Sequence, residues 1–403
     1  MNSKIVLSWC LLVTGALCNQ QLMAAAAPDP RNPIQSRVLS RYAGMIHSVV
    51  FSPDGAKIIV GSDGSSYVLN TETGEPLCSL IRSKVVQSVA ISADGTKIAT
   101  GEGDGTVSIF DARADKPSCI RTLHCYDSCN VTALAFSEDG TKLAVGSFGQ
   151  GADIWNVETG EKTHNFLSSE IVGSLAFSPN GTKLAIGSLI GGVSILNVET
   201  GSITKLIQLG FSVAFSPDGT KLAVGSKGGK VYVFDAQHWS LLCELMSDGI
   251  FVPSVTFSPD GTKLAAASTG KAYGPTSGGS GKLLIWDVGT NVLLHSLTGC
   301  YEGEILSVAF SPDGSKIVTG SRDRKVCVWY DTREKQKCVT RQVATALACA
   351  MHPRLGEDSP AQLIDPYVLR EICNLTCGSF GPIEEQPGML ARVGQTVSGC
   401  VIS

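Results

Sequence analysis

Phe215-Ser216-Pro217-Asp218-Gly219-Thr220-Lys221-Leu222-Ala223-Val224 reads as two short strands joined by a tight turn. Val213 and Phe215 alternate with small residues up to the turn, and Leu222 and Val224 alternate after it. Alternation of this period buries one face of a strand. Between the runs, proline presets φ for the first central position of a type I turn, Asp suits the second, and Gly takes the φ > 0 position that follows. The unit is therefore an antiparallel hairpin. Near copies put a turn glycine at Gly55, Gly95, Gly140, Gly181, Gly219, Gly261 and Gly314, in steps of 40, 45, 41, 38, 42 and 53 residues. The residues before it vary within what the turn tolerates (Ala93-Asp94, Glu138-Asp139, Pro179-Asn180), while the glycine is constant.

Two more segments complete each copy. A third strand reads Lys230-Val231-Tyr232-Val233-Phe234-Asp235, or Thr106 to Asp111, or Leu283 to Asp287. After a polar turn such as Val157-Glu158-Thr159-Gly160 comes a less regular fourth strand, for example Leu241 to Leu245. Seven such units, over 44–81, 84–123, 129–167, 169–206, 208–246, 250–297 and 303–345, predict an all-β fold: a seven-bladed β-propeller of four-stranded antiparallel blades. Val38 and Leu39, ahead of the first hairpin, are expected to form the outer strand of the last blade, so that chain start and chain end pair and no open edge remains between blades.

The units resemble WD40 repeats over roughly residues 35–345. Only Trp286-Asp287 spells the Trp-Asp pair of that family; the other six positions read Leu69-Asn70, Phe110-Asp111, Trp155-Asn156, Leu196-Asn197, Phe234-Asp235 and Trp329-Tyr330. The Gly-His pair before the first strand is missing throughout. The buried His–Asp hydrogen-bond network of such blades is therefore not expected, which leaves strand pairing and the packing of Val, Ile, Leu and Phe between blades. The resemblance implies a rigid, non-catalytic scaffold for protein partners, in the form of a monomeric ring.

Residues 1–27 read as a secretory signal peptide: Lys4, an apolar run from Ile5 to Cys18, and small residues at Ala24–Ala27. Residues 28–34 carry three prolines and read as an extended linker. Residues 346–403 form a tail, with a short helix near 359–375 opened by Ser359-Pro360. These features predict export to the periplasm or the extracellular space, with no membrane insertion once the leader is removed.

A net charge of −4 and a pI near 5.9 give no basic footprint, so nucleic acid is not an expected partner. No nucleophile elbow, phosphate-cradling loop or paired-His metal motif occurs, and no cofactor or metal is expected. The turn acids Asp54, Asp94, Asp139, Asp218, Asp260 and Asp313 are read as turn residues spread round a rim, not as a catalytic set. A lactonase-type propeller hydrolase would need His, Asp or Glu converging on the innermost strands, which here read mostly Ser-Val-Ala-Phe-Ser. The propeller of the Tol envelope-transport system shares the Ser-Pro-Asp-Gly turn but carries a further domain ahead of the ring.

Of the 14 cysteines, Cys10 and Cys18 fall in the leader, and an even number remains after it. Export favours disulfides. Two local groups could cross-link. One is Cys119, Cys125 and Cys129, and the other is Cys373 with Cys377. His124 and Asp127 beside the first group also allow zinc. Cys78, Cys243, Cys300 and Cys327 are expected to stay apart on separate blades. Partner contacts are expected on the loops joining second to third strands and those leading into each first strand. Arg82, Lys84, His124, Tyr126, Phe148, Leu189, Ile190, Lys227, Phe251, Tyr301, Arg322 and Arg324 fall there, because aromatics and arginines are enriched at interfaces.

Overall fold

The computed structural model describes residues 34–331, apart from 115, 128, 167–169, 209, 248, 271–280 and 299. Ser36–Trp329 forms one compact unit. The stretches read as leader (1–27), most of the linker, the last unit past residue 331 and the tail with the helix expected near 359–375 lie outside the described residues.

Seven four-stranded antiparallel sheets follow one another as blades. Blade 1 comprises Ile46–Phe51, Lys57–Ser62, Ser65–Asn70 and Pro76–Arg82, each strand pairing with the next. Blades 2 to 6 start with Val86–Ile91, Val131–Phe136, Val172–Phe177, Ser212–Phe215 and Phe251–Phe257. Blade 7 takes three strands from the chain's end, Ile305–Phe310, Lys316–Ser321 and Lys325–Asp331, and its outer strand, Ile34–Arg41, from the chain's start. Val38 and Leu39 thus close the ring as expected, and the strand begins one residue inside the stretch read as linker. Arg37 Nη1 and Ser40 Oγ donate to the carbonyls of Glu72 and Gly74 in blade 1, at 3.0 and 2.8 Å.

Three repeated contacts join neighbouring blades. The first is a glycine in the second strand. Gly61, Gly101, Gly146, Gly187, Gly225 and Gly320 face the segment that leads into the following blade, and a Cβ there would collide with it: 2.5 Å from Val172 Cγ1 at Gly146, 2.1 Å from the Phe211 carbonyl oxygen at Gly187. Absence of a side chain lets two sheets close to core packing distance.

The second contact is a serine. Six first strands shift register by one residue just inside their start, between Ile46 and Ser48, for example, or between Ile305 and Ser307. The backbone N–H groups of Val49, Val89, Val213 and Val308 donate to Ser307, Ser48, Ser174 and Ser254 Oγ of the preceding blade, at 3.1–3.2 Å. The bond from Val49 to Ser307 joins the first blade to the last.

The third contact is the Asp-Gly turn itself. In blade 5, Ser216 Oγ donates to Asp218 Oδ1 (2.5 Å), Thr220 N–H donates to the same oxygen (3.0 Å), and Lys221 N–H donates to Ser216 Oγ (2.9 Å). The serine bond first, then the backbone bond, hold the carboxyls of Asp94, Asp139 and Asp218 at about 2. The turn glycine lies against the proline of the preceding turn: a Cβ at Gly95 would stand 3.4 Å from Pro53 Cδ, and one at Gly55, across the closure, 3.6 Å from Pro312 Cδ. Stacked in this way, the aspartates occupy the structural role read from the sequence.

Between blades lie continuous apolar clusters, such as Ala144, Ile154, Phe166 and Val172 with Leu184, Ile186 and Leu196. The sheets therefore bury both faces, which removes apolar area from water on the scale of about 25 cal/mol per Å².

Two expectations need correction. The first is the disulfide set. Cys119, Cys125 and Cys129 are free thiols and not cross-linked. Cys119 is exposed on the outer strand Ser118–His124, whereas Cys125 is buried and its thiol is pushed up to about 12 by burial. The other expected pair, Cys373 with Cys377, lies outside the described residues. Among the described residues a disulfide joins Cys300 and Cys327, with Cα atoms 6.9 Å apart. They are not on separate blades: the segment leading into blade 7 runs against that blade's own third strand.

The other correction concerns the His–Asp network. His47 Nε2 lies 2.8 Å from Asp63 Oδ1 in blade 1. In blade 7 Tyr301 hydrogen-bonds Thr319, whose Oγ1 also accepts from Trp329 Nε1 at 2.8 Å. The family's spelling is lost, while polar contacts of this kind stand in blades 1 and 7.

Candidate protein-interaction face

Antiparallel order fixes the face. A first strand begins, a second ends, a third begins and a fourth ends at the same end of each blade, so the loops named in the sequence share one face of the ring. That face has two sectors of different chemistry.

Over blades 7, 1 and 2 the charged groups are engaged with one another. Lys84 Nζ stands 2.8 Å from both Glu102 Oε2 and Asp104 Oδ2. Glu102 is fully buried and accepts from Thr106 (2.5 Å), Ser108 (2.7 Å) and Thr100 (3.2 Å) hydroxyls as well. Burial works against the Asp104 carboxylate, but hydrogen bonds from Lys84 and Thr106 outweigh it and hold it at about 2. Asp104 and then Glu102 raise the Lys84 ammonium above its ordinary value. Arg322 Nη1 lies 3.2 Å from Glu304 Oε2, and Lys325 Nζ lies 2.9 Å from Asp323 Oδ2. Arg324 occupies a left-handed turn position, φ 70°. Arg82 and His124 are exposed, but at the ends of outer strands, away from the ring's centre.

Tyr126 and Tyr301 are corrections to the expected contact set, since both are buried, at 7% and 6% exposure. Each hydroxyl bonds inward, Tyr126 to the Val145 carbonyl at 3.0 Å and Tyr301 to Thr319. Burial raises both phenols. A large ring with one polar end fits a site where the family spells histidine, which explains why interface composition pointed to the wrong side chains.

Over blades 3 and 4 the loop tips are apolar. Phe148 is 55% exposed and Ile190 71% exposed, at the tips of the second-to-third-strand loops of blades 3 and 4. The loops are pinned by their backbones. Phe148 N–H donates to the Asn130 carbonyl (3.0 Å), and its residue bridges Ile171 of the next blade. Leu189 N–H donates to the Ile171 carbonyl (2.9 Å). Farther round, the rings of Phe211 and Phe251 lie 5.0 Å apart at 55°, and Lys227 bridges Phe251 through the backbone. Phe211 was missed in the sequence. Its signal was Gly173, whose missing side chain leaves room for that ring: a Cβ there would fall 2.1 Å from it.

Among the described residues no group of three or more His, Cys, Asp or Glu is placed to hold a metal, so the zinc alternative at His124 and Asp127 has no ligand set. A second apolar strip was not anticipated: Leu241, Leu242 and Met246 with Val292, Leu293 and Leu294 are exposed on the outer strands of blades 5 and 6.

The sequence profile described as "WD domain, G-beta repeat" matches residues 35–68, 74–111, 117–156, 207–235 and 291–330. Five stretches of the ring are WD40 repeats. Four of them run from the outer strand of one blade to the third strand of the next, so the repeat is offset from the blade and ties two sheets together. Among curated proteins the chain is similar to "Protein tipD" of Dictyostelium discoideum, 32% identical over 121 residues, which is 29% of this chain and 19% of that protein. It is also similar to "WD repeat-containing protein 1" of Xenopus tropicalis, 32% identical over 91 residues, 21% of this chain and 15% of that one. A third relative is "Echinoderm microtubule-associated protein-like 1" of Homo sapiens, 33% identical over 60 residues, 15% and 7% of the two chains. The chain spans less than a fifth of the length of these relatives.

Proposed function

We propose that this WD40 ring is an exported, non-catalytic scaffold that docks a protein partner on the apolar loop tips of blades 3 and 4. One observation carries the proposal. Phe148 and Ile190 are held out to solvent on loops whose backbones are both hydrogen-bonded to the segment leading into blade 4, so their exposure is not a consequence of slack. Large apolar side chains on a rigid frame bind with little loss of conformational freedom. The paired charges of blades 7, 1 and 2 stiffen the ring and are not free to reach a partner. Export is supported by the leader-like residues 1–27 and by the Cys300–Cys327 bond, which belongs to an oxidising compartment. The microtubule association in the printed name of one relative is said of that protein; for this chain it supports only the class of partner, another protein.

The test is affinity capture from the organism's envelope and culture fluid with the mature protein. Phe148→Ala with Ile190→Ala is expected to weaken the captured complex by about 30-fold or more, the scale of an interface anchor. Arg82→Ala with His124→Ala is expected to leave it unchanged. Equal capture by wild type and the Phe148, Ile190 double variant would remove this surface from the assignment.

A further inference from the structure

An acid is set into the apolar sector. Glu170 lies on the segment leading into blade 4, between the loops that carry Phe148 and Ile190. Its carbonyl accepts from Gly149 and Gly151 N–H, both at 3.2 Å. Its neighbour Ile171 bridges Phe148 on one side and accepts from Leu189 N–H on the other. The carboxylate rests on Gly191, where a Cβ would come within 2.2–2.3 Å of it, so any other residue would displace the acid.

The acid is poorly satisfied. Among the described residues Oε2 is buried and has no hydrogen-bond partner. Oε1 stands 3.8 Å from Lys205 Nζ, too far for a hydrogen bond, and that lysine is 64% exposed. The Glu170 side chain is itself only 19% exposed. Elsewhere on the face the comparable acids are supplied with donors: Asp63 by His47 and Met45 N–H, Glu102 by Lys84 and three hydroxyls, Asp323 by Lys325 and Glu302 N–H. A half-desolvated carboxylate without donors costs stability in the free protein, and a donor brought by a partner recovers it.

We infer that the notch between blades 3 and 4 takes a peptide segment that presents an arginine or lysine beside an apolar residue. The cation meets Glu170 from the open side of Oε1, and the apolar neighbour lies between Phe148 and Ile190. Charge decides the occupant: an acidic or purely apolar segment would leave Glu170 buried further and still without a hydrogen-bond donor. The inference rests on the docking role of the apolar sector and adds to it the chemistry of the partner.

A phage-displayed library of random peptides panned on the full chain tests it. Enriched peptides are expected to carry Arg or Lys next to an aromatic or aliphatic residue. One such synthetic peptide and its Arg→Gln counterpart are then titrated against wild type, Glu170→Gln and Phe148→Ala by fluorescence anisotropy. Glu170→Gln is expected to weaken the basic peptide by about 10-fold or more, the scale of a charge-assisted hydrogen bond. The neutral peptide is expected to bind wild type and Glu170→Gln alike, a comparison that holds even where a variant is less stable. A library that enriches no basic peptide overturns the inference, as does a basic peptide indifferent to Glu170→Gln. If Phe148→Ala still weakens binding in that case, the docking surface stands and only the basic specificity falls; a peptide indifferent to Phe148→Ala as well removes both.

Discussion

Gly187→Ala is expected to destabilise the ring by about 3 kcal/mol, at the upper end of overpacking costs. The methyl group would sit 2.1 Å from the Phe211 carbonyl oxygen and 2.8 Å from its carbon. Both belong to backbone, so no rotamer change relieves the contact. The segment leading into blade 5 must move, and with it the Ser212 and Val213 contacts to the blades on either side, Ser212 Oγ to the Val252 carbonyl (3.0 Å) and Val213 N–H to Ser174 Oγ (3.2 Å). Gly201→Ala is the comparison. Gly201 has φ 70° and no neighbour within 4 Å of its would-be Cβ, so it bears only the left-handed strain of about 1–2 kcal/mol. Urea denaturation of the two variants separates the effects. Equal losses would mean that close approach of the sheets does not need these second-strand glycines.

The second large effect concerns the Cys300–Cys327 bond. It closes a stretch with a sequence separation of 27 within blade 7, the blade completed by the outer strand from the chain's start. In the chain-entropy description a loop of that length stabilises by about 3–4 kcal/mol. A Cys300→Ala, Cys327→Ala double variant, or the wild type under reductant, is expected to unfold at correspondingly lower urea. Reductant is expected to change the variant little. If oxidised and reduced wild type unfold at the same concentration, the bond contributes nothing to blade 7.

The ring was legible because its signals are local. Ser-Pro-Asp-Gly fixes a turn within four residues, and alternation fixes which side of each strand is buried, so seven hairpins and even the pairing of Val38 and Leu39 with the chain's end could be read directly. The glycine near the end of six second strands, as in Gly61-Ser62 and Gly187-Ser188, stands in the sequence too, but its reason is a contact with the next blade. The loop face was legible only in part. Phe148 and Ile190 are exposed as expected, whereas Tyr126 and Tyr301 turn inward to bond with carbonyl and hydroxyl groups from other strands. Composition cannot tell an aromatic that seeks a partner from one that replaces a buried histidine. The Cys300–Cys327 bond escaped for a related reason: it depends on how the segment before a blade crosses that blade, a geometry that strand spacing does not encode. Nearness in sequence, which suggested Cys119, Cys125 and Cys129 on one side and Cys373 with Cys377 on the other, says nothing of such a crossing.

Everything about the interaction face depends on the seven sheets forming a closed circle, and the junction of the last blade with the first is where closure is decided. Native-state hydrogen exchange of the Val49 amide tests that junction directly, because its partner is Ser307 Oγ, 3.1 Å away across the closure. Its counterparts Val89, Val213 and Val308 make the same bond within the continuous part of the chain. A closed ring gives Val49 protection equal to theirs. Exchange of Val49 at the rate of an exposed turn amide, with the other three still protected, would show the ring open and contradict the account.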